Sequence, residues 1–272
     1  MIRLGHIVYS NCYPVHAQLL ESAESPDVQI VRGTPAELNR ALASGTIDVA
    51  PCSSIEFARH ADRYRILAGP AIASCGPVHS ILLESTEPLD RLGKREVAIA
   101  SASATSVVLL RALLEMRHGV RATLRWFDQD SAEDPLAMGA AAALRIGDIA
   151  LRRTPPPGRR IIDLGQAWTE WTGLPFVYAV WQTRLATDRD TELLRLRDRL
   201  LASMDWFDAN MHALADQRAA EFGLRAERLR AYWRTLRYRL DDAATAGLLR
   251  FYRLAAELGE APPVEGLSTL PA

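Results

Sequence analysis

Two segments of the sequence, residues 7–20 and 97–114, share one plan: an apolar strand-like run, a short loop of small polar residues, and an apolar helix-like run. Residues 43–53 and 144–153 form a second matching pair, in which a glycine and a nearby aspartate precede an apolar run. Strands that alternate with helices favour an α/β protein with parallel strands. The repetition therefore predicts two similar lobes with a ligand cleft between them, lined by loops at the carboxyl ends of the strands.

The order of the apolar runs predicts how the chain divides between the lobes. The first set of strands and helices precedes a run at residues 78–83, and the run at 176–181 is long enough to cross back. We therefore predict that residues 1–84 together with 182–272 form one lobe and that residues 85–181 form the other.

Local patterns predict individual elements. Thr34 followed three residues later by Glu37 is a capping box, which marks the start of a helix. The alanine-rich residues 135–144 predict a helix that leads into a strand at 147–151. After residue 187 apolar side chains recur every three or four positions, so the C-terminal region is expected to be helical.

Composition narrows the class of protein. The 272 residues are 49% hydrophobic and 24% charged, which is ordinary for a soluble globular protein. The net charge of −1 argues against nucleic acid as a partner and against docking on anionic lipid. No apolar stretch approaches the roughly 20 residues that span a bilayer, and no signal peptide is visible. We therefore expect no membrane partner and a cytoplasmic protein, and the sequence leaves monomer and homodimer open.

Several kinds of catalytic site have no support. Lys94 is the only lysine and lies in a polar turn, whereas a Schiff-base lysine needs a desolvated position. The chain has no glycine-rich nucleotide-binding motif and no GxSxG nucleophile elbow. Its six histidines show no metal-ligand spacing, so we expect no metal.

The loop SASATS, residues 101–106, joins a strand to a helix with only small and hydroxyl side chains. The first N–H groups of a helix lack partners within it and carry partial positive charge. A carboxylate or phosphate is therefore a natural ligand there, and Ser103, Thr105 and Ser106 are candidate binding residues. The alternative is that one of these hydroxyls only caps its own helix.

Two further loops of the same kind occupy equivalent places in the predicted fold. Ser10 and Asn11 follow the first strand, and Ser53 and Ser54 follow the strand IDVAP. Three such loops that face one crevice fit a small polyanion better than three unrelated helix caps.

Other polar and aromatic residues near these loops allow two interpretations each. His79, within GPVHS, either supports the fold or contacts a ligand. Asp48 and Asp148 each follow a glycine near a predicted strand, and we favour a structural role for both. The aromatic side chains of residues 168–181 either pack in the core or form a wall of the cleft.

Five motifs occur in order along the chain: RLGHIVYSNCYP at 3–14, GTPAELNRALASGTIDVAPCSSIEF at 33–57, SCGPVHS at 74–80, SATS at 103–106 and DLGQAWTEWTGLPFVYAVW at 163–181. Together they resemble the MqnA family of menaquinone biosynthesis, the chorismate dehydratases, over most of the chain up to about residue 182. The resemblance implies a two-lobe fold like that of type II periplasmic binding proteins. It also implies a carbon–oxygen lyase of the futalosine route that removes water from chorismate, a dicarboxylate, to give 3-[(1-carboxyvinyl)oxy]benzoate, with no cofactor.

The resemblance also implies roles for individual residues. The family's catalytic asparagine and serine fall on Asn11 and Ser80. The family's cleft hydroxyls fall on four further residues: Ser53, Ser54, Thr105 and Ser106. The base that removes the ring proton stays open between the substrate's own enolpyruvyl carboxylate, a water molecule and His79, and a contact of Arg152 with the substrate is open as well.

Three other functions remain as alternatives. The sister enzyme of the pathway, 1,4-dihydroxy-6-naphthoate synthase, shares the fold but uses a histidine base where this chain reads GDIALRRTP. A non-catalytic binding protein for a small carboxylate would use the same fold and loops, although such proteins are exported and no signal peptide is visible. A ligand-sensing domain of a regulator is the third alternative, and no helix-turn-helix is evident.

Overall fold

The chain pairs into two β-sheets in a computed structural model that describes residues 1–22, 26–100, 104–131 and 133–270. In chain order the strands are β1 (Ile2–Ile7), β2 (Val28–Gly33), β3 (Val49–Ser53), β4 (Tyr64–Ser74), β5 (Ile81–Ser85), β6 (Glu96–Ala100), β7 (Thr123–Phe127), β8 (Ala142–Ile146), β9 (Arg160–Asp163), β10 (Phe176–Arg184) and β11 (Leu236–Arg239). The helices are α1 (Tyr13–Glu21), α2 (Pro35–Ser44), α3 (Ser54–Arg59), α4 (Ala104–Arg111), α5 (Gly147–Arg152), α6 (Leu164–Thr172), α7 (Asp190–Arg218), α8 (Ala226–Thr235) and α9 (Asp242–Glu257). A short 3₁₀ helix covers Leu89–Arg91, and α4 continues into a π-helical segment, Ala112–Arg117. Within the described ranges, no helix has both the length and the apolar character that crossing a membrane requires.

The two sheets are built from different parts of the chain. The first has the strand order β11-β4-β10-β3-β1-β2, and the second has the order β7-β6-β8-β5-β9. The chain completes β1 to β4, builds the second sheet with β5 to β9, and returns in β10, which pairs antiparallel with both β3 and β4. The predicted α/β class and the predicted helical C-terminal region are thereby confirmed.

The chain passes from one sheet to the other close to the predicted lobe bounds. Strand β5 begins at Ile81 and belongs to the second sheet, whereas β10 begins at Phe176 and belongs to the first. The predicted bounds at 84/85 and 181/182 fall within these two strands. The division into lobes itself stays a prediction.

One predicted helix is wrong. Residues 142–146 form strand β8, which pairs with β5 and β6, and the predicted strand at 147–151 is instead helix α5. Alanine favours helices by intrinsic propensity, but tertiary pairing overrides so weak a preference. All five residues of β8 are buried, and alanine side chains are small enough for a strand enclosed between two neighbours.

Two local predictions hold in the structure. The Thr34 hydroxyl accepts a hydrogen bond from the Glu37 N–H, and the Glu37 carboxylate accepts one from the Thr34 N–H, which completes the capping box of α2. The Asp48 carboxylate accepts hydrogen bonds from the Arg3 N–H and guanidinium and from Arg189, so it ties β1 to the chain that follows β10. Asp48 therefore has the structural role that we favoured.

A buried hydrogen-bond chain connects β10, α1 and β1. Trp181 Nε1 donates to His16 Nε2 (3.0 Å). Neutral His16 therefore carries its proton on Nδ1, which lies 2.8 Å from Nδ1 of His6. Cys12 Sγ lies 3.8 Å from the same His6 nitrogen, and the three side chains offer ligand atoms within 4.8 Å of one another, as in a metal site. The direct contact of the two nitrogens leaves no room for an ion between them, so we interpret the group as a hydrogen-bonded histidine pair.

Both histidines are kept neutral by their surroundings. Burial, with a smaller effect of the Arg32 charge, lowers the pKa of His6 to about 4. Burial and the neighbouring His6 lower the pKa of His16 well below its ordinary value. Protonation of the buried imidazole pair therefore costs free energy, and both rings stay neutral at neutral pH.

The free energy of unfolding should fall as the pH falls from 7 to 5. The unfolded chain gains protons on these histidines below their ordinary pKa of about 6.5, whereas the folded chain does not. The stability they contribute is therefore present above that pH and is lost as the pH approaches the folded pKa, which for His6 is about 4. By linkage His6 alone should cost about 2 kcal/mol at pH 5, and His16 adds a loss of the same sign. Urea denaturation at the two pH values measures the change.

NMR provides the matching control for this prediction. The imidazole signals of His6 and His16 should not shift between pH 8 and pH 5, because neither ring takes up a proton while the protein is folded. A titration of either ring with a midpoint near 6.5 would contradict the assignment of the pH effect to this pair.

Candidate active site

Residues of both sheets line one cleft, which is the candidate active site. The cleft contains about 670 Å³ of atom-free space, including its opening to solvent. Its walls come from the ends of strands and the loops that follow them, as expected for an α/β fold. The lining residues are Ile7, Tyr9, Asn11, Pro35, Ser53, Ile72, Val78, Ser80, Ile81, Thr105, Ser106, Ile146, Gly147, Tyr178, Ala179 and Leu236.

Four polar side chains in the cleft have no hydrogen-bond partner among the described residues: Tyr9, Asn11, Ser53 and Ser106. The Asn11 amide oxygen is fully buried. An unpaired buried polar group costs about 1–3 kcal/mol, so protein structures rarely retain one without a reason. These groups therefore remain candidates for hydrogen bonds to a polar ligand.

Ser80 adds a further polar group to the cleft, with a defined orientation. It lies immediately before β5 and is almost completely buried. Its oxygen accepts a hydrogen bond from the Tyr232 hydroxyl over 2.8 Å. A serine hydroxyl accepts and donates at the same time, so the Ser80 proton stays available for a ligand in the cleft.

Thr105 and Ser54 connect the two walls of the cleft. The Thr105 hydroxyl oxygen accepts a hydrogen bond from the Ile55 N–H (3.3 Å) and lies 3.5 Å from the Ser54 hydroxyl oxygen. Ser54 donates its own proton to the Val177 carbonyl oxygen (2.8 Å) and does not line the cleft. The structure therefore brings Thr105 and Ser54 together, but it uses Ser54 to join α3 to β10.

Ser10, in the loop after β1, is hydrogen-bonded to Asp148 of α5. Both its N–H and its hydroxyl donate to the Asp148 carboxylate at the start of α5. Burial raises the pKa of Asp148 although these two hydrogen bonds and Arg152 oppose the rise. Ser10 is itself fully buried and does not line the cleft, so Asp148 holds the loop that carries Asn11.

A further candidate from the sequence, His79, is not among the described lining residues. His79 is exposed, has a φ of 61°, and contacts Asp163 through its backbone N–H rather than its ring. Ser103 lies outside the described residues.

The sequence analysis did not identify Tyr9 and Gly147 as cleft residues, and it left the role of Tyr178 open. Tyr9 and Tyr178 form part of the wall, whereas Trp168 and Trp181 of the same aromatic group pack in the core. Gly147 has a φ of 65°, and a Cβ atom added there would lie 3.7 Å from the Tyr9 ring. Nothing in the sequence distinguishes Tyr9 and Gly147 as cleft residues, because a tyrosine after a strand and a glycine at the start of a helix are common.

The electrostatic character of the cleft follows from its donors. Among the described lining residues there is no lysine, arginine, aspartate or glutamate. A negatively charged ligand would therefore be held by neutral hydroxyl and amide donors and by the N-terminal end of α4. Arg152 donates to the Phe222 carbonyl oxygen and does not line the cleft.

Comparison with known families and proteins identifies the relatives of this chain. A family model described as menaquinone biosynthesis matches residues 2–257. The chorismate dehydratase of Thermus thermophilus is 30% identical in an alignment of 263 residues that covers 91% of this chain and 93% of that protein. The chorismate dehydratase of Campylobacter jejuni is 31% identical in an alignment of 179 residues that covers 64% of each chain.

Solved structures show the fold. A crystal structure of an Archaeoglobus fulgidus protein superposes with a TM-score of 0.76 at 20% identity and covers 95% of this chain and 97% of its own. The periplasmic aliphatic sulphonate binding protein SsuA of Escherichia coli gives 0.70 at 18% identity, with 100% and 94% covered. A Candida albicans protein described as having the generic periplasmic binding protein fold gives 0.64 at 12% identity, with 100% and 98% covered. The predicted periplasmic-binding-protein-like fold is thereby confirmed.

Substitution of Thr105 by valine should lower the free energy of unfolding by about 1–3 kcal/mol. Valine keeps the shape of the side chain but removes the oxygen that accepts from the Ile55 N–H, which then stays buried and unpaired. Urea denaturation measures the change.

Ser106→Ala is the matched control for this prediction. Ser106 is the next residue of α4 and is similarly buried, but its hydroxyl has no partner among the described residues. Its removal should leave the stability within about 0.5 kcal/mol of the parent. Equal losses for the two variants would contradict the role assigned to Thr105.

Proposed function

This chain belongs to the menaquinone-biosynthesis family, and we propose from that premise that it is a chorismate dehydratase. The observation that carries the proposal is the cleft in which Asn11, Ser53 and Ser106 expose polar groups that have no partner within the described residues. Family membership and the two curated relatives supply the reaction, and the donors in the cleft suit its substrate.

Chorismate carries two carboxylates and one hydroxyl on a small ring system. Carboxylates accept hydrogen bonds from hydroxyls, amides and the free N–H groups of a helix end. We assign one carboxylate to Ser106 and the start of α4, and the enolpyruvyl carboxylate to Asn11 and Ser80. Both assignments rest on the position of these residues in the cleft.

The reaction is an elimination that needs no change of oxidation state outside the substrate. A proton leaves the ring carbon that carries the enolpyruvyl ether, and the hydroxyl leaves the neighbouring carbon. The electron pair of the broken C–H bond completes the aromatic ring, and the proton and hydroxyl depart as water. The chain must hold the ring, place a base beside the proton and stabilise the charge that develops on the ring carboxylate.

We assign the base to the enolpyruvyl carboxylate of the substrate itself. Among the described lining residues no acidic side chain faces the cleft, and both oxygens of the nearby Asp148 accept hydrogen bonds from Ser10. The exposed position of His79 gives that residue no support as the base. Asn11 and Ser80 then act by orienting the carboxylate toward the proton.

We further propose that the protein acts in the cytoplasm. Cys12 and Cys52 are buried free thiols, and Cys75 is an exposed free thiol. Free cysteines fit a reducing compartment.

Asn11→Ala and Ser80→Ala should each lose about 100-fold or more of the turnover of chorismate. Each substitution removes a donor that acts on the reacting groups, and loss of one such donor typically costs that much. The measurement is the growth of the ultraviolet absorption of the aromatic product after addition of chorismate to the purified protein.

Ser85→Ala is the control for this prediction. Ser85 ends the strand that Ser80 precedes, is equally buried, and hydrogen-bonds to the Glu87 carbonyl oxygen rather than to a ligand. It should retain turnover. Near-normal activity of both site variants would refute their assignment, and binding of chorismate without product by the parent chain would make it a binding protein.

We also propose that residues 1–84 with 182–272, and residues 85–181, move as two lobes that close on the substrate. Three contacts already join these two parts of the chain, and a closed state would keep them: Ser10 with Asp148, Thr105 with the Ile55 N–H, and Arg111 with Glu260. Closure would expel water and strengthen the hydrogen bonds to the charged substrate.

Small-angle scattering should show a smaller radius of gyration when the enolpyruvyl benzoate product is added in excess. Benzoate, which lacks the second carboxylate, serves as the control and should not cause closure, because it cannot engage both walls of the cleft. An unchanged radius at saturating product would identify the cleft as a rigid, preformed site.

A further inference from the structure

The Tyr232 hydroxyl touches a residue of the active site without belonging to the cleft. Tyr232 lies on α8, is 2% exposed, and donates its proton to the Ser80 oxygen over 2.8 Å. It is absent from the lining residues. In the described part of the chain, the only hydrogen bond of the Tyr232 hydroxyl is to the serine that we place against the substrate.

This contact fixes the direction in which Ser80 donates. A serine hydroxyl rotates freely unless a neighbour occupies one of its lone pairs. The Tyr232 proton occupies one of them, which turns the Ser80 proton away from the tyrosine. Burial, with smaller effects of the Asp148 and Asp163 charges, raises the pKa of Tyr232, so the phenol stays protonated and remains a donor at neutral pH.

The next residue of α8 holds the other catalytic loop. Trp233 Nε1 donates to the Ser10 carbonyl oxygen over 2.8 Å, one residue before Asn11. The Trp233 ring stacks on Tyr13 at a centroid distance of 5.6 Å and an interplanar angle of 12°. One turn of helix therefore contacts both the serine and the loop of the asparagine.

We propose that Tyr232 is a positioning residue that aims the Ser80 hydroxyl at the substrate. The proposal rests on the proposed dehydratase activity and on the role given there to Ser80. Tyr232 does not touch the substrate and transfers no proton to it. Its effect is to keep Ser80 in the one orientation from which the serine can donate into the cleft.

Tyr232→Phe tests the proposal, because it removes the hydroxyl and keeps the ring in the core. We expect kcat to fall about tenfold with little change in KM, and the melting temperature to stay within a few degrees of the parent. A parent-like kcat would overturn the proposal.

Tyr238→Phe is the matched control. Tyr238 lies six residues later on β11, and its buried hydroxyl has no hydrogen-bond partner in the described part of the chain. Its removal should leave kcat and KM unchanged. An equal loss in this variant would mean that deletion of any buried phenol nearby disturbs the site, which would also overturn the proposal.

A double-mutant cycle shows whether Tyr232 acts through Ser80. If it does, Ser80→Ala and the double variant Ser80→Ala/Tyr232→Phe should have the same rate, since there is no serine left to aim. Single-turnover measurements with enzyme in excess bring these slow rates within range. A further tenfold loss in the double variant would show an independent effect and would overturn the proposal.

The same assays separate this inference from the proposed function. A parent protein that forms no aromatic product from chorismate would refute the dehydratase activity itself. An active parent with an unaffected Ser80→Ala variant would leave the activity standing but remove the role of Ser80, and the inference about Tyr232 would fall with it.

Discussion

The position of one strand determines where the cleft lies. Strand β10 is inserted antiparallel between β3 and β4, and all but its last residue are buried. Its first residue, Phe176, pairs with Ser74, the last residue of β4. The chain therefore leaves the first sheet and returns to it at adjacent points, and the cleft wall includes Ile72 of β4 together with Tyr178 of β10. Helix α6 packs closely against β10 at Gly165, where an added methyl group would collide with the Tyr178 hydroxyl.

The sequence predicts those parts of the site that depend on local position. A loop at the carboxyl end of a parallel strand faces the cleft in any such fold, which is why Asn11, Ser53 and Thr105 could be placed before the structure was known. The same local reasoning failed for β8. Its alanines predict a helix. The charged Arg145 gave no indication of a buried strand, because its partner Glu84 (3.4 Å) lies on the neighbouring strand β5, far away in the sequence.

The residues that support the site could not be found in this way. Tyr232 and Trp233 follow Ser80 by about 150 positions, and within an amphipathic helix they look like ordinary core aromatics. Only the return of the C-terminal helices to the first sheet brings them against Ser80 and Ser10. Asp148 was expected to be structural, but its contact with Ser10, far away in the sequence, became visible only in three dimensions.

The absence of cations among the described lining residues suits the proposed chemistry. An arginine against the enolpyruvyl carboxylate would bind it strongly but would also lower its pKa and weaken it as a base. Neutral donors, the role proposed for Asn11 and Ser80, would orient the same group at a smaller loss of basicity. A cleft of amides and hydroxyls would therefore bind the carboxylate less tightly than an arginine would, but the carboxylate could still accept the ring proton.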